Sequence, residues 1–403
     1  MIEYRRGDTS FVVAVVSIAH FFSHVFLLAY PPLFPLLAAE FSVTTAQLGL
    51  LVTAIYVPQL LFQLPLGEVV DRVGAKWILV SGLVVTSLSI GGSGLATSYW
   101  MLLAFAFVSG IGQSVFHPAD YALLETVTTA ENEGKGFSAH TFGGYAGFAA
   151  APLVIGSIGI TLGWQIALVT VGVVGFIVAI AISLTTESVH ARRIESISGR
   201  ADRTGRTLRQ MVTFVKQRDL LFVFGFYLVS MMALVGLQSF TTVLAVYGYG
   251  FTESAANTLL TVHLTCTAIG VVVGGPLADR ASFRWIVVWM FVLSAVGVGG
   301  LVVSAPGASF TFALLLLAII GFLFGLALPS RDKFANSVVD PDAVGTSFGF
   351  FFTGLSLGAV VSPALLGVII DLWTAPIAFV VVGLLLLVAA LIVVVATYTT
   401  AQT

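Results

Sequence analysis

The sequence predicts an all-α polytopic membrane protein, with twelve transmembrane helices in two six-helix pseudo-symmetric bundles. Three observations carry that prediction. Of 403 residues, 58% are hydrophobic and only 9% charged, whereas a soluble domain carries about 25% charged residues to keep its surface wet. The apolar residues gather into twelve continuous runs. Finally, a charged turn, Gly67-Glu68-Val69-Val70-Asp71-Arg72-Val73-Gly74-Ala75-Lys76, has its G-x-x-x-D-R core repeated 208 residues on as Gly275-Pro276-Leu277-Ala278-Asp279-Arg280.

The runs cover residues 11–37, 46–70, 76–96, 99–124, 134–159 and 163–186, then 218–247, 254–278, 285–304, 308–329, 343–370 and 374–397. Each supplies roughly the 20 residues a helix needs to cross a bilayer. Strands of a membrane β-barrel alternate over segments of about ten residues, so continuous runs mean helices. The first run is too long for the apolar region of a cleaved signal peptide and reads as a retained span. Breaks fall where charge, Pro and Gly cluster.

The cations fix direction. With the N-terminus inside, all 17 Lys and Arg fall on one side. Arg5 and Arg6 precede span 1, Arg72 and Lys76 follow span 2, and Lys135 follows span 4. Arg280 and Arg284 follow span 8, Arg331 and Lys333 follow span 10, and the remaining eight lie between the halves. The positive-inside rule therefore predicts two cytoplasmic termini in a plasma-membrane protein. The domains are 1–186, a basic cytoplasmic linker at 187–217, and 218–403. Arginines in that linker enforce topology and touch anionic lipid; they are no nucleic-acid signal. The single cysteine, Cys266, excludes a disulfide framework or a Cys-based metal site within one chain.

The two halves align. At an offset of 208, Thr44 meets Thr252, Leu51 meets Leu259 and Thr53 meets Thr261. At 211, Gly110, Pro118, Gly134 and Gly143 meet Gly321, Pro329, Gly345 and Gly354, and Gly147, Pro152 and Gly156 meet Gly358, Pro363 and Gly367. Parallel six-span repeats are a transporter arrangement in which one half rocks against the other. The phosphate-binding G-x-x-x-x-G-K-[ST] loop is missing, so ATP is not the direct energy source. H-E-x-x-H does not occur and the histidines are distributed without a matching nucleophile, so no enzyme is predicted, no cofactor is called for, and a monomer is expected.

Over its full length the chain resembles the major facilitator superfamily, whose loop signature between spans 2 and 3 is similar to Gly67–Lys76. Spans 1 to 5 resemble that superfamily's fosmidomycin-resistance group through His20-Phe21-Phe22-Ser23-His24, Pro32-Leu33-Phe34-Pro35-Leu36-Leu37, Gln47-Leu48-Gly49-Leu50 and Phe116-His117-Pro118. The resemblance implies a secondary transporter working by alternating access that exports small organic molecules or drugs in exchange for protons. The alternative is a proton- or ion-coupled importer of small organic acids or nutrients. It further implies a conformational latch made by Gly67, Asp71, Arg72, Gly74, Lys76, Asp279 and Arg280. There Asp71 would meet the start of span 11 near 344–346, and Asp279 the start of span 5 near Lys135, each carboxylate satisfying N–H groups at a positive helix end. Two departures stand out. Ala106 occupies the place of the span-4 arginine of drug–proton antiporters, and Ala151-Pro152-Leu153-Val154-Ile155-Gly156 is only a degenerate form of their span-5 signature.

Polar residues inside the spans mark the expected path. Ionisable groups in a membrane interior are usually functional, although neutral His also serves as an interhelical hydrogen-bonder. His20 and His24 share one face of span 1, as Gln59 and Gln63 do on span 2. Gln113, His117 and Asp120 form a stripe down span 4, and His140 enters span 5 at the depth of His117. Together with Gln238 and His263 of the second half, these side chains define the predicted substrate and proton pathway. No carboxylate is expected at mid-span, which leaves His as the group titrating near neutral pH. His117, Asp120 and His140 have the types that suit Zn²⁺, but without a tight motif no metal site is predicted. Asp120, at the foot of span 4, meets Arg331 under the 211 offset, and the two are predicted to pair as a cytoplasmic gate.

Overall fold

The computed structural model describes residues 6–129, 132–185, 214–305, 307–339 and 344–400, leaving out the side chains at 6–8, 64, 71, 133, 344–345 and 400. Most of the 187–217 linker therefore lies outside the described residues, and so do the side chains of Asp71 and of the first residues of span 11.

Among the described residues there is no strand. Twelve helical segments are long and apolar enough to cross a membrane. In the first half these are span 1 (Thr9–Phe41), span 2 (Thr45–Gln63, its helix continuing to Val73), span 3 (Ala75–Ser93), span 4 (Tyr99–Val127), span 5 (Gly134–Leu162) and span 6 (Trp164–Ser183). In the second half they are span 7 (Arg218–Gly248), span 8 (Glu253–Arg280), span 9 (Phe283–Ser304), span 10 (Phe310–Asn336), span 11 (Thr346–Leu372) and span 12 (Ala375–Thr399). Only 33–56% of each is buried within the protein. Exposed Val173, Ile177, Val296 and Leu391 therefore need lipid rather than water around them.

The chain divides into two compact units, Met1–Ile194 and Glu195–Thr403. Within each, the first span packs on the fifth, the second on the fourth and the third on the sixth. Glycines allow these contacts by letting backbones touch. A Cβ at Gly110 would lie 2.3 Å from the Ile55 carbonyl oxygen, and one at its repeat mate Gly321 would lie 2.1 Å from that of His263. Ile55 and His263 are themselves 208 apart. Likewise a Cβ at Gly147 would meet the Phe21 oxygen at 2.2 Å, and one at Gly358 the Leu228 oxygen at 2.3 Å. The sequence repeat is a repeat of contacts.

Helix ends repeat too. Thr44 caps span 2, accepting from the Gln47 N–H while the Gln47 side chain accepts from the Thr44 N–H, a reciprocal pairing that satisfies two orphan donors. Thr252 caps span 8 by accepting from the Ala255 N–H. The charged turn is closed by Gly74, whose φ of 104° favours a residue without a Cβ. Beyond it Lys76, almost fully buried, donates to the carbonyls of Ser183 (3.2 Å) and Thr185 (2.6 Å). That places a cation on the negative end of span 6.

The halves differ where the first is interrupted. Span 4 breaks at Ser114–Val115 into helices Tyr99–Gln113 and Phe116–Val127, and span 5 passes through a π-helical turn at Pro152–Gly156. Their counterparts Phe310–Asn336 and Val344–Leu372 run through Pro329 and Pro363 as single helices. The π turn at Pro152 answers the missing N–H that a proline leaves in a helix.

Candidate functional site

Spans 1, 4 and 5 of the first unit converge on one buried polar cluster. Span 1 brings His20 and His24 on successive turns, with ring centroids 4.3 Å apart. Span 5 presents small residues to that face. A Cβ at Gly144 would lie 2.6 Å from His24 Cε1 and 2.7 Å from His20 Nε2, and one at Gly143 would lie 2.6 Å from the Ser17 oxygen. Because these positions are glycine, His20 can stack on His140 of span 5 at 3.8 Å. The lower helix of span 4 then brings His117, 5.5 Å from the His20 ring, and Asp120.

Asp120 is the hub. Its Oδ2 lies 3.1 Å from His20 Nδ1 and 3.0 Å from His140 Nε2, so with protons on those nitrogens both imidazoles donate to one carboxylate oxygen. None of the three side chains is more than 5% exposed. The other oxygen, Oδ1, has no partner, and neither do the Nδ1 atoms of His117 and His24, which are equally buried. Asp120, read from the sequence at the foot of span 4, is fully buried against His20 and His140, about two turns inside the end of that span. The trio whose donor atoms gather within 4.8 Å is His20, Asp120 and His140, with His20 in the place expected of His117.

The remaining expected residues divide. Gln113 joins span 4 to span 1 through two bonds, accepting from Ser23 Oγ at 2.8 Å and donating to the Ser23 carbonyl at 2.9 Å. Ser23 has no role in the sequence reading, and only its place between the two histidines marks it. Gln59 is buried and donates back to the Ile55 carbonyl of its own helix at 3.4 Å, while Gln63 is half-buried. Gln238 and His263 belong to the second unit, where His263 Nδ1 donates to the Leu317 carbonyl at 3.2 Å, an interhelical tie from span 8 to span 10.

The repeat mates of the cluster carry different chemistry. The packing offset of 207 between spans 1 and 7 puts Tyr227 opposite His20 in the repeat, and the 211 offset assigns Arg331 to Asp120 and Phe351 to His140. These mates also meet. The Arg331 guanidinium lies 5.1 Å from the Tyr227 ring centre, and Tyr227 and Phe351 rings are 6.0 Å apart. Arg331 pairs with Asp332 at 2.9 Å, and the Tyr227 hydroxyl donates to the same Asp332 at 3.0 Å. One half holds a titratable clasp and the other a fixed ion pair. Of the latch residues, Asp279 pairs with Lys333, which also donates to the Ala278 carbonyl at 3.0 Å. Arg72 lies 3.6 Å from Glu68 on the surface, Gly67 has open space around it, and Arg280 is exposed.

Matches to the model of the Major Facilitator Superfamily cover residues 16–256 and 226–402. The chain belongs to this superfamily of transporters. It is 26% identical over 375 residues to the fosmidomycin resistance protein of Escherichia coli, covering 91% of this chain and 88% of that one. Identity is 23% over 352 residues to the hexuronate transporter of Bacillus subtilis, covering 84% and 82%. Among solved structures it overlays, with a TM-score of 0.79 at 16% identity and 98% coverage of both chains, on a bacterial homolog of the human lysosomal transporter Spinster. The chain is thus a multi-pass membrane transporter acting on small molecules.

Proposed function

We propose that this transporter exports small organic molecules by alternating access in exchange for protons, as a monomer in the plasma membrane with both termini cytoplasmic. The observation that carries the coupling is the buried carboxylate of Asp120 between two imidazoles. A proton arriving at such a cluster meets acceptors already desolvated and in contact, and intramembrane ionisable groups of this kind typically form proton relays. Asp120 Oδ1 and the Nδ1 atoms of His24 and His117, without partners, are where an incoming proton gains a hydrogen bond. Protonation of the carboxylate removes its claim on the His20 and His140 donors. That loosens the tie among spans 1, 4 and 5 and gives the two conformations different proton affinity, which any ligand-driven shift requires. The second half supplies the fixed charges of Arg331 and Asp332.

Export is supported by the name of the E. coli relative. The reading of inward transport of small organic acids draws on the hexuronate relative. Purified protein in proteoliposomes tests both. An imposed pH gradient should drive accumulation of a substrate found by growth screening, beginning with fosmidomycin, toward the more acidic side. With Asp120→Asn, gradient-driven accumulation should be lost while substrate counterflow without a gradient continues. Undiminished gradient-driven transport by Asp120→Asn would end the coupling role. Accumulation away from the acidic side would favour import.

A further inference from the structure

We propose that the His20–Asp120–His140 cluster is a binding site for one divalent transition-metal ion of the Zn²⁺ class. Two imidazole nitrogens and a carboxylate oxygen are the donor set such ions take when one coordination position stays open. Hard ions such as Mg²⁺ and Ca²⁺ instead require mostly oxygen. The geometry is close to assembled, since the three donor atoms lie within 4.8 Å of one another and two of the separations are 3.0 and 3.1 Å. A tetrahedral ion with bonds of about 2.0–2.2 Å holds its donors roughly 3.4 Å apart, so two of the separations need to open by a few tenths of an ångström and the third, no more than 4.8 Å, to settle to the same spacing. The donors stand on three different spans whose approach is fixed by Gly143, Gly144 and Gly147.

A second observation points the same way. Asp120 Oδ1 and His117 Nδ1, fully buried beside this trio, lack a hydrogen-bond partner, and buried orphan polar atoms next to a set of metal-type donors mark a place that water or an ion completes. Binding requires each neutral imidazole to carry its single proton on the ring nitrogen turned away from Asp120, so that the two nitrogens facing the carboxylate present lone pairs to the ion and no net proton leaves the rings. Metal and proton therefore compete for one set of atoms, and metal binding requires neither a transport direction nor proton coupling to be correct.

The test uses full-length protein in detergent, with Zn²⁺ and Co²⁺ as probes and Mg²⁺ as the contrast. Expected are one Zn²⁺ per chain by calorimetry, a raised thermal midpoint because the ion binds only the folded state, and intense visible Co²⁺ bands of a low-coordinate site. Asp120→Asn and His140→Gln should each weaken binding by at least about tenfold, whereas Cys266→Ser and His190→Gln should leave it unchanged. A pale octahedral Co²⁺ spectrum, or Zn²⁺ binding unaltered in Asp120→Asn, would overturn the site, and these readings stand even if the variants lose yield because the Co²⁺ spectrum comes from the unaltered chain. Loss of pH-driven transport without metal binding would leave the proton reading alone. Metal binding without pH-driven transport would leave the metal site alone.

Discussion

At Gly144 a single hydrogen atom decides whether the polar cluster can assemble. A methyl there would lie 2.6–2.7 Å from ring atoms of His24 and His20, neither of which can swing aside without leaving Asp120 or Phe148, whose ring is 4.1 Å from that of His24. Gly144→Ala is therefore expected to destabilise the protein by about 1–3 kcal/mol and to reduce transport. Gly134→Ala, with no atom within 4 Å of its Cβ, should be neutral. Thermal unfolding in detergent, followed by transport in vesicles, separates the two; equal stability of both variants would contradict the packing. At this scale the sequence was partly legible. The i, i+4 pair His20 and His24 announced a polar face, and Gly143 and Gly147 stood out because Gly354 and Gly358 repeat them. Asp120 was misread because the apolar run ends near Leu124, whereas the helix continues to Val127 and carries Asp120 about two turns inside its end. Ser23 and Gln113, 90 residues apart, pair through folding that no periodicity reports.

Helix ends are where the individual elements are secured. Lys76 is read from the sequence as part of a latch and a topology signal, yet it also lies buried on the last carbonyls of span 6. Replacing it by Met leaves those carbonyls without a charged donor, a loss of about 1–3 kcal/mol. The expected result is a lower unfolding midpoint and reduced yield, with Lys76→Arg less affected. A midpoint unchanged in Lys76→Met would mean that water serves those carbonyls as well. The twelve spans were legible because apolar length is a property of the chain alone. The break at Ser114–Val115 was not, since Pro118 matches Pro329 under the 211 offset and the helix through Pro329 is continuous.

For the whole molecule, the latch and the gate concern contacts between the two units and are kept as proposals. Within its own unit Asp120 is bound by His20 and His140, and Arg331 by Asp332. A bridge between them must displace partners on both sides, which makes it a feature of one transport state at most. Asp71→Asn should lower transport at normal yield. Exchanging the charges with Asp120→Arg and Arg331→Asp together should recover the substrate counterflow lost in either variant alone; failure of that recovery removes the gate. The duplicated architecture was legible from Gly and Pro offsets, because a glycine required by backbone contact cannot drift. What had drifted, His20, Asp120 and His140 against Tyr227, Arg331 and Phe351, gave no repeat to read.

The mismatch between Asp120 and Arg331 has an evolutionary corollary. Tandem copies of one ancestral unit would have carried identical chemistry at both places, so at least one has been rewritten since the fusion. The segments are no longer interchangeable. A chimera built from two first halves would duplicate the acid–base centre and lose its only guanidinium counterpart, inheriting the shape of a carrier without its division of labour.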